Sequence, residues 1–400
     1  MLPGEGVLPP ETLSAFEGLS VNDVFKFTGD WSDFQHRLLF ENWLRRLQDA
    51  WLDRSLGPRW MPVEQGGLVC PACGGNAHTR KGYRSRAART SKGEFPFSLA
   101  QVKCKDCGRV HRPFVRFLGL EPRRRTLGEL AQKALSLALK LPYGPSAGLL
   151  KELAGSGLSH EGIRKLVART ARAAEIIPPA EVVHAQVDGT KVKAGDKACG
   201  EDVQLAISVK KGPVKNGRPT LVKKLVHLSV GGSAPLKAAL RKARPKYLVH
   251  DGELNLTGCA GNVQRCLWHM GHQLGYYLWQ DEAPRGEKAH IRKKLCGILY
   301  GKDYTPKGAA IAYGRLVGEL KRAGLDTSAG HLVRARDEVF TSRKTPGLGF
   351  ATTSPVEREM REINRRADVG ARWSKKGIEN VLKLLMLKRF NQLSKNMHPG

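Results

Sequence analysis

Two aspartates stand where predicted β-strands end, in positions that suit the binding of divalent cations. Asp188 follows the apolar segment 181–187, and Asp251 follows the segment 247–249. Carboxylate oxygens are the ligands that Mg²⁺ prefers, and two such ions side by side can promote displacement at phosphorus. Each aspartate precedes a glycine, however, and Asp-Gly is also a favoured hairpin turn. A divalent-metal site and a pair of structural turns are therefore both open interpretations.

The segment between residues 181 and 251 supplies elements that can bring these aspartates together. Its hydrophobic patterns follow the order strand, strand, strand, helix, strand. The strands are expected at 181–187, 203–209, 221–230 and 247–249, and the helix at 234–243. This order resembles the ribonuclease H fold, in which the first and fourth strands are neighbours. The resemblance implies that Asp188 and Asp251 face one another and share divalent cations.

Four cysteines form two Cys-x-x-Cys pairs, a spacing that lets two thiolates reach one tetrahedral metal ion. The pairs are Cys70 with Cys73 and Cys104 with Cys107. Glycine after Cys107 permits the tight turn that ligation needs. A redox pair would require a βαβ context, which the sequence does not show. The sequence therefore predicts one structural zinc ion in a zinc ribbon, and a three-cysteine site completed by His78 or His111 is the alternative.

The chain contains 67 Lys and Arg against 37 Asp and Glu, a formal net charge of +30. Such an excess indicates a polyanionic partner, most often nucleic acid. It is concentrated in residues 80–125, where fourteen basic residues stand against three acids. We therefore expect this segment to contact DNA. The candidate contacts are Arg80, Lys81, Arg84, Arg86, Arg89, Arg123, Arg124 and Arg125.

Helical patterns flank the zinc segment. Residues 34–56 space apolar side chains three and four apart, which indicates an amphipathic helix. These side chains are Phe34, Leu38, Leu39, Trp43, Leu47 and Trp51. Their face is expected to pack within the protein, and a partner-binding face is the alternative.

Beyond residue 125 the pattern becomes helical as well. Two helices separated by a glycine-containing turn at 155–157 indicate a helix-turn-helix, and the alternative is a helical unit that binds no DNA. The candidate DNA contacts on the second helix are Arg164, Lys165 and Arg169.

A third candidate acid, Glu357, ends the segment Thr352-Thr353-Ser354-Pro355-Val356-Glu357. The chain then continues as a basic stretch to Asn364-Arg365-Arg366. Here the chain resembles the Mutator-like transposases and their bacterial insertion-sequence relatives. In that family the third acid lies in a Thr-Thr-Asn-x-x-Glu segment before a basic helix, and this chain has serine in place of the asparagine. The motif Cys266-Leu-Trp-His269 and a helical insertion after the second aspartate are also shared. The resemblance covers about residues 180–395.

The resemblance implies a DDE transposase in which Asp188, Asp251 and Glu357 hold two Mg²⁺ or Mn²⁺ ions. Such an enzyme cuts the ends of a transposon and joins the free 3′-OH to target DNA. Its partners would be double-stranded DNA, both as transposon ends and as target, and further copies of the chain in a homodimer or larger assembly. The candidate DNA contacts on its basic helix are Arg361, Arg365 and Arg366.

Glu357 also has a structural interpretation. Ser354-Pro355-Val356-Glu357 matches the S-x-x-E capping box with proline in the first turn, in which the glutamate binds a backbone N–H group. Glu359 and Glu379 are rival candidates for the third acid by spacing. The family resemblance favours Glu357.

The role of the Cys-x-x-His motif is open at this stage. Cys266 and His269 are either ordinary buried residues or part of the active-site region, as the resemblance implies. A second zinc site that adds Cys259 or His272 is a further alternative. Trp268 lies within the motif, and a core position is favoured for it over stacking on a DNA base.

The predicted fold class is α/β and multidomain. A ribonuclease H-like catalytic domain with an all-helical insertion follows a zinc ribbon and a helical, helix-turn-helix-like DNA-binding region. The expected domains are 1–60 (N-terminal helical region), 61–125 (basic zinc ribbon), 126–178 (helix-turn-helix-like region), 179–272 with 351–396 (catalytic domain) and 273–350 (helical insertion).

No apolar segment approaches the ~20 residues that span a membrane, and residues 1–20 lack the basic start of a signal peptide. Eight cysteines are too few for a disulfide scaffold. The sequence therefore predicts a cytoplasmic protein that is not associated with a membrane, and the resemblance implies a bacterial protein associated with the nucleoid. Two other functions stay open: an inert DNA-binding regulator or domesticated transposase, and a metal-dependent nuclease that cuts without joining.

Overall fold

The structure is a computed structural model that describes residues 21–56, 68–90, 92–117, 125–126, 128–196, 199–345 and 347–393. The chain divides into two compact units. The first comprises the described residues up to Leu137 together with Gly144–Glu161, and the second comprises Ala138–Tyr143 and the residues from Gly162 onward.

The first unit combines one long helix with a small antiparallel sheet. Helix α1 spans Val21–Leu56, and the sheet has the order β1-β2-β3. The strands are β1 (His78–Thr90), β2 (Gly93–Cys104) and β3 (Val110–His111), followed by the short helix α2 (Phe114–Phe117). The core between α1 and β2 contains Leu44, Phe97, Leu99 and Phe114 in one cluster and Leu52, Ala100 and Val102 in another.

The face of α1 that packs differs in part from the predicted one: Trp51 does pack on the core and on Phe114, and the side chain of Phe34 lies outside the described residues. Leu39 and Trp43 are exposed, whereas the buried stripe consists of Leu44, Gln48, Leu52 and Ser55. Two of these four residues are polar, so hydrophobic spacing could not identify the stripe. Gln48 is fully buried, and its side-chain amide has partners there: it donates to Ser98 O at 2.9 Å and accepts from Ala100 N at 2.9 Å. The glutamine thus joins α1 to the backbone of β2.

Three helices follow: α3 (Gly128–Ala138), α4 (Tyr143–Ala154) and α5 (His160–Ala173). The last two occupy the segment in which a helix-turn-helix is predicted, with five residues between them. The division between the two units runs through this segment.

The second unit contains a five-stranded mixed sheet in the order β6-β5-β4-β7-β8. Its strands are β4 (His184–Val192), β5 (Glu201–Lys215), β6 (Arg218–Val230), β7 (Tyr247–His250) and β8 (Asn262–Arg265), with helix α6 (Ala234–Ala243) between β6 and β7. The pairs β6-β5 and β5-β4 are antiparallel, and the pairs β4-β7 and β7-β8 are parallel. Leu236 and Leu240 of α6 pack against Val187, Ala206 and Leu248 of the sheet. The predicted strands and helix are all present, and the mostly polar β8 is an addition.

The sequence predicts a helical insertion at 273–350, and five helices lie between residues 267 and 344. They are α7 (Leu267–Gln280), α8 (Arg285–Tyr300), α9 (Pro306–Arg322), α10 (Asp326–Ala335) and α11 (Thr341–Lys344), and the first four share one hydrophobic core. Two more helices follow, α12 (Ser354–Ala367) and α13 (Lys375–Arg389). Within the residues that the structure describes, no helix combines the length and apolar character needed to cross a lipid bilayer.

Replacing Gln48 tests how α1 is attached to the sheet. Gln48→Met keeps the size of the side chain but leaves Ser98 O and Ala100 N without partners, so we expect a loss of about 1–3 kcal/mol in unfolding free energy. Urea denaturation measures it, with Asn42→Ala on the exposed side of α1 as control. Equal stability of the two variants would contradict the attachment.

Candidate functional site

Strand pairing brings the two predicted aspartates to the same edge of the sheet. Strands β4 and β7 run parallel, with Gln186 opposite Val249. Asp188 and Asp251 each lie two residues farther along, Asp188 within β4 and Asp251 directly after β7. Both are buried, at 8% and 7% exposure. In-register parallel strands therefore place two carboxylates side by side.

The charges of this cluster act on one another. Burial raises the pKa of Asp188 to about 7, and the carboxylates of Asp251 and Glu357 act in the same direction. A hydrogen bond from Gly189 N to Asp188 Oδ1, 2.9 Å, acts against this rise. Asp251 Oδ1 accepts from Glu253 N at 3.0 Å, which holds the turn after β7. Without a cation, the cluster thus binds a proton near neutral pH.

Glu357 belongs to this cluster and does not form the predicted capping box. The capping box would require Ser354 to be the N-cap of helix α12, but the N-cap is Thr353 and Ser354 is already helical. The carbonyl of Thr353 accepts from Val356 N and Glu357 N. The Glu357 carboxylate instead accepts a hydrogen bond from the Thr353 hydroxyl at 2.7 Å. Its side chain is therefore held by another side chain, and its charge acts on the pKa of Asp188.

The two rival acids are engaged elsewhere. Glu359 is 2% exposed and forms ion pairs with Lys223 of β6 and Arg389 of α13. Glu379 lies on α13, where it pairs with Lys376 at 2.9 Å. Both carboxylates are thus partnered by basic side chains away from the aspartate pair.

The Cys-x-x-His motif adjoins the acid cluster. Cys266 is the N-cap residue of α7, and its sulfur accepts from Thr353 N at 3.4 Å. Thr353 Oγ1 lies 3.2 Å from the same sulfur, while its one proton is donated to Glu357. His269 Nδ1 lies 3.3 Å from Thr353 Oγ1 and 3.9 Å from Glu357 Oε1. One threonine hydroxyl therefore contacts the sulfur, the imidazole and the third carboxylate.

The protonation of this motif follows from its neighbours. Burial disfavours the charged imidazole, but Cys266 and the two aspartates outweigh it and raise the pKa of His269 to about 9. Burial also opposes ionisation of the thiol, yet hydrogen bonds from His269 and Thr353 lower the pKa of Cys266. The His269 imidazolium thus lies between the carboxylates and a thiol whose ionisation it favours.

The alternative second zinc site is not assembled. His272 is exposed and stacks on Trp268, and Cys259 belongs to the core between α6 and the sheet. Among the described residues, the metal-sized cluster around this motif consists of Cys266, His269 and Glu357, whose ligand atoms lie within 4.8 Å of one another. Trp268 itself is 49% exposed, so the expected core position is wrong.

The four cysteines of the first unit form one cluster. Their sulfurs lie within 4.8 Å of one another, with Cys70 Sγ 3.7 Å from Cys107 Sγ and Cys73 Sγ 3.6 Å from Cys104 Sγ. Ligands at about 2.3 Å from a tetrahedral zinc ion are about 3.8 Å apart. The cluster could therefore hold a structural metal such as zinc.

Each cysteine pair sits in a tight backbone loop. Gly74 N donates to Cys70 O, and Gly108 N donates to Cys104 O, at 2.9 and 3.0 Å. Both glycines have positive φ, 76° and 70°, which glycine adopts without strain. Local backbone geometry thus turns each pair of sulfurs toward the other pair.

Two histidines adjoin this cluster. His78 Nε2 and His111 Nε2 are buried without a hydrogen-bond partner, and the two rings lie 5.0 Å apart. Ligand atoms of both also lie within 4.8 Å of Cys70 Sγ. The alternative ligand set with histidine therefore stays open.

The basic residues predicted on the ribbon differ in their exposure. Arg80 pairs with Asp49 and Asp53 of α1. Arg89 pairs with Glu94 across the hairpin, so both arginines are partly neutralised within the unit. Lys81, Arg84 and Arg125 are exposed, and Arg86 is half-buried. Arg123 and Arg124 lie outside the described residues.

The predicted DNA contacts in the second unit also differ in their exposure. Arg164, Lys165 and Arg169 of α5 are exposed, as is Arg361 of α12. Arg365 is exposed and pairs with Glu362.

Arg366, in contrast, cannot contact DNA in this structure because it is 3% exposed. Its guanidinium donates to Ala138 O and Leu141 O and stacks on Trp373. The prediction of a DNA contact at Arg366 is therefore wrong, since that side chain binds backbone carbonyls.

A basic cavity of 690 Å³ opens at the start of α13, within the second unit. Its basic lining residues are Arg164, Arg172, Arg372, Lys376 and Lys383. Glu379 is the one acid in the lining, and the helix N-terminus adds partial positive charge. Such a cavity suits a phosphate group. Of its five basic residues, only Arg164 is among the DNA contacts predicted from the sequence.

Comparison with known proteins assigns no family: a scan against protein-family models finds no match to this chain, and a search of curated proteins finds none either. The interpretation of the site therefore depends on the positions and chemistry of its own residues.

Elemental analysis of the purified protein tests the cysteine cluster. We expect one zinc ion per chain, which Cys107→Ser should remove because the thiolate is lost. Cys199→Ser, at an exposed cysteine outside the cluster, is the control. His78→Ala should keep its zinc; loss of the metal in this variant, with retention in Cys107→Ser, would assign the site to the alternative ligands.

The protonation of Asp188 predicts a pH-dependent stability. Its pKa rises from 3.8 to about 7 on folding, so ionisation costs the folded state increasing free energy above pH 4. Without metal, Asp188→Asn should therefore stabilise the protein at pH 8, by up to about 4 kcal/mol, and change little at pH 4. Denaturation in EDTA at both pH values measures this, with the exposed Asp202→Asn as control. A gain independent of pH would contradict it.

Proposed function

We propose that this protein is a DDE-type DNA transposase with a ribonuclease H-like catalytic domain, as the resemblance to the Mutator-like family implies. The main support is that strand pairing sets Asp188 beside Asp251, and that the Glu357 carboxylate acts on the pKa of Asp188. The strand order β6-β5-β4-β7-β8, with β4 and β7 parallel, also agrees with the ribonuclease H fold.

The chemistry of the three acids suits two divalent cations. Clustered, largely buried carboxylates are stable as anions only when positive charge lies beside them. All three offer oxygen ligands, which Mg²⁺ and Mn²⁺ prefer. When bound, such ions would activate the attacking water or 3′-OH and stabilise the leaving oxygen.

The surrounding residues would keep the acids in position. The Thr353 hydroxyl binds Glu357, so the carboxylate keeps its direction relative to β4 and β7. His269, protonated at neutral pH, offsets part of the negative charge while the site lacks cations. The Cys266 sulfur accepts from Thr353 N, which holds the start of α12 beside α7.

The positive charge of the chain would supply DNA affinity. Lysine and arginine contacts to phosphates position a protein on DNA without reading its sequence. The exposed cations of β1 and α5 and the basic cavity beside α13 offer such contacts. We propose that the ribbon and the α4–α5 pair bind transposon ends, and that a dimer or larger assembly brings two ends together.

Substitution of the acids tests the proposal. Asp188→Asn and Asp251→Asn should each lower Mg²⁺-dependent cleavage of the element's own ends by at least about 1,000-fold, because a metal ligand loses its charge. DNA binding should stay nearly intact, as measured by gel shift. Glu359→Gln and Glu379→Gln are the matched controls, and Asp188→Asn with wild-type cleavage would overturn the proposal.

The third acid is tested by two different substitutions. Glu357→Gln can still accept the Thr353 hydroxyl, so its melting temperature should change little while cleavage is lost. Glu357→Ala should lose activity and also about 0.5–1.5 kcal/mol of stability. Full activity in the glutamine variant would make Glu357 a structural residue.

The same assay separates the other two functions. A labelled 3′-OH end supplied with target DNA should become joined to it. Cleavage without joining would identify a nuclease, and neither reaction would indicate an inert DNA-binding protein.

A further inference from the structure

Helix α7 exposes a row of aromatic side chains that neither its own core nor the acid cluster uses. Trp268, Tyr276 and Trp279 are 49%, 57% and 64% exposed, and His272 is exposed between them. Spacings of four, eight and eleven residues from Trp268 place all four on one side of a helix. We call this row the aromatic face of α7.

The rings of this face are arranged in stacked pairs. Trp268 and His272 lie nearly parallel, with centroids 4.9 Å apart and 15° between planes. Tyr276 and Trp279 stack at 6.0 Å and 29°. Within each pair the facing ring surfaces cover one another, and the exposed remainder of the rings lies at two levels along the helix.

A cation lies between the two pairs. Gly275 is on the same side of α7, and a Cβ there would lie 3.5 Å from Arg292 Nε. The missing side chain thus makes room for the guanidinium of Arg292, which is exposed on α8. Lys288 lies one turn before Arg292 on the same side of α8, so two positive charges border the aromatic rings, whereas Lys294 pairs with Glu319 on another side of that helix.

The aromatic face begins at the acid cluster. The Trp268 ring meets the His269 ring edge-on at 4.8 Å, and His269 lies 3.9 Å from Glu357. A cavity of 390 Å³, lined by His272 and Tyr276 on one side, also reaches Gly252 and Glu253 just after Asp251. A strand that leaves the acids can therefore pass directly onto α7.

We propose that the aromatic face of α7 binds single-stranded DNA next to the scissile phosphate, with unpaired bases stacked on Trp268, Tyr276 and Trp279. Aromatic rings beside cations form the usual surface for single strands, because every base has a π face and every linkage a negative charge. The inference rests on the proposed function for the identity of the strand, but the binding itself requires no cleavage.

A single strand fits this face better than a second copy of the chain does. A two-fold contact would bring the basic residues of α8 close to their own copies, and like charges repel. A nucleic acid strand offers flat rings and negative charge together, which matches both features.

The test is the affinity of full-length protein for a fluorescein-labelled single-stranded oligothymidylate of about 8 nucleotides. Anisotropy is measured in EDTA, at a salt concentration that suppresses binding of a duplex of equal length. Trp268→Ala and Trp279→Ala should each weaken binding about 5- to 100-fold. Phenylalanine at either position should lose less, because a π face is kept. Arg292→Ala should also weaken binding, more than Lys293→Ala.

Trp43→Ala is the matched control, because Trp43 is an exposed tryptophan on α1. A loss in Trp268→Ala no larger than in Trp43→Ala would overturn the inference. So would a lower oligomeric state of Trp268→Ala and Trp279→Ala in light scattering, since the face would then be a contact between copies. If the wild type does not cleave DNA but these variants lose single-strand affinity, the proposed function fails and the inference stands.

Discussion

The candidate site depends on the parallel pairing of β4 with β7. Because Gln186 lies opposite Val249, Asp188 and Asp251 leave the sheet at the same level. A shift of one residue in either strand would turn one carboxylate toward the opposite face. The arrangement costs stability, since burial and mutual repulsion oppose ionisation of Asp188. Such a cost is typical of residues kept for chemistry.

The position of the third carboxylate, that of Glu357, depends on the contact between the two ends of the helical insertion. The insertion leaves the sheet at Cys266 and returns at Thr353, and these residues meet: Thr353 N donates to the cysteine sulfur, and Thr353 Oγ1 lies 3.2 Å from it. Leu267 N also donates to Ala351 O at 3.0 Å. The start of α7 is thereby fixed beside the start of α12, which places Glu357 and the aromatic face of α7 next to the aspartates.

The first unit obtains its stability differently. Its hairpin is short of apolar residues, and two small clusters beneath α1 are supplemented by a buried glutamine that bonds to β2. The four cysteines lie at the end of the same hairpin, where β1 begins and β2 ends. A metal ion bound there would supply the cross-link that small domains with little core commonly need.

Local chemistry determined much of what the sequence predicted. The Cys-x-x-Cys pairs were recognisable because ligation sets their spacing, and the strands before Asp188 and Asp251 because buried strands need apolar runs. Glu357 was ambiguous, since cap and ligand share one local pattern. Tertiary structure alone excluded the capping box at Glu357, and it also decided the burial of Arg366 and the exposure of Trp268. The physical reason is that burial depends on which distant segments pack against a side chain, and the periodicity of a single segment does not contain that information.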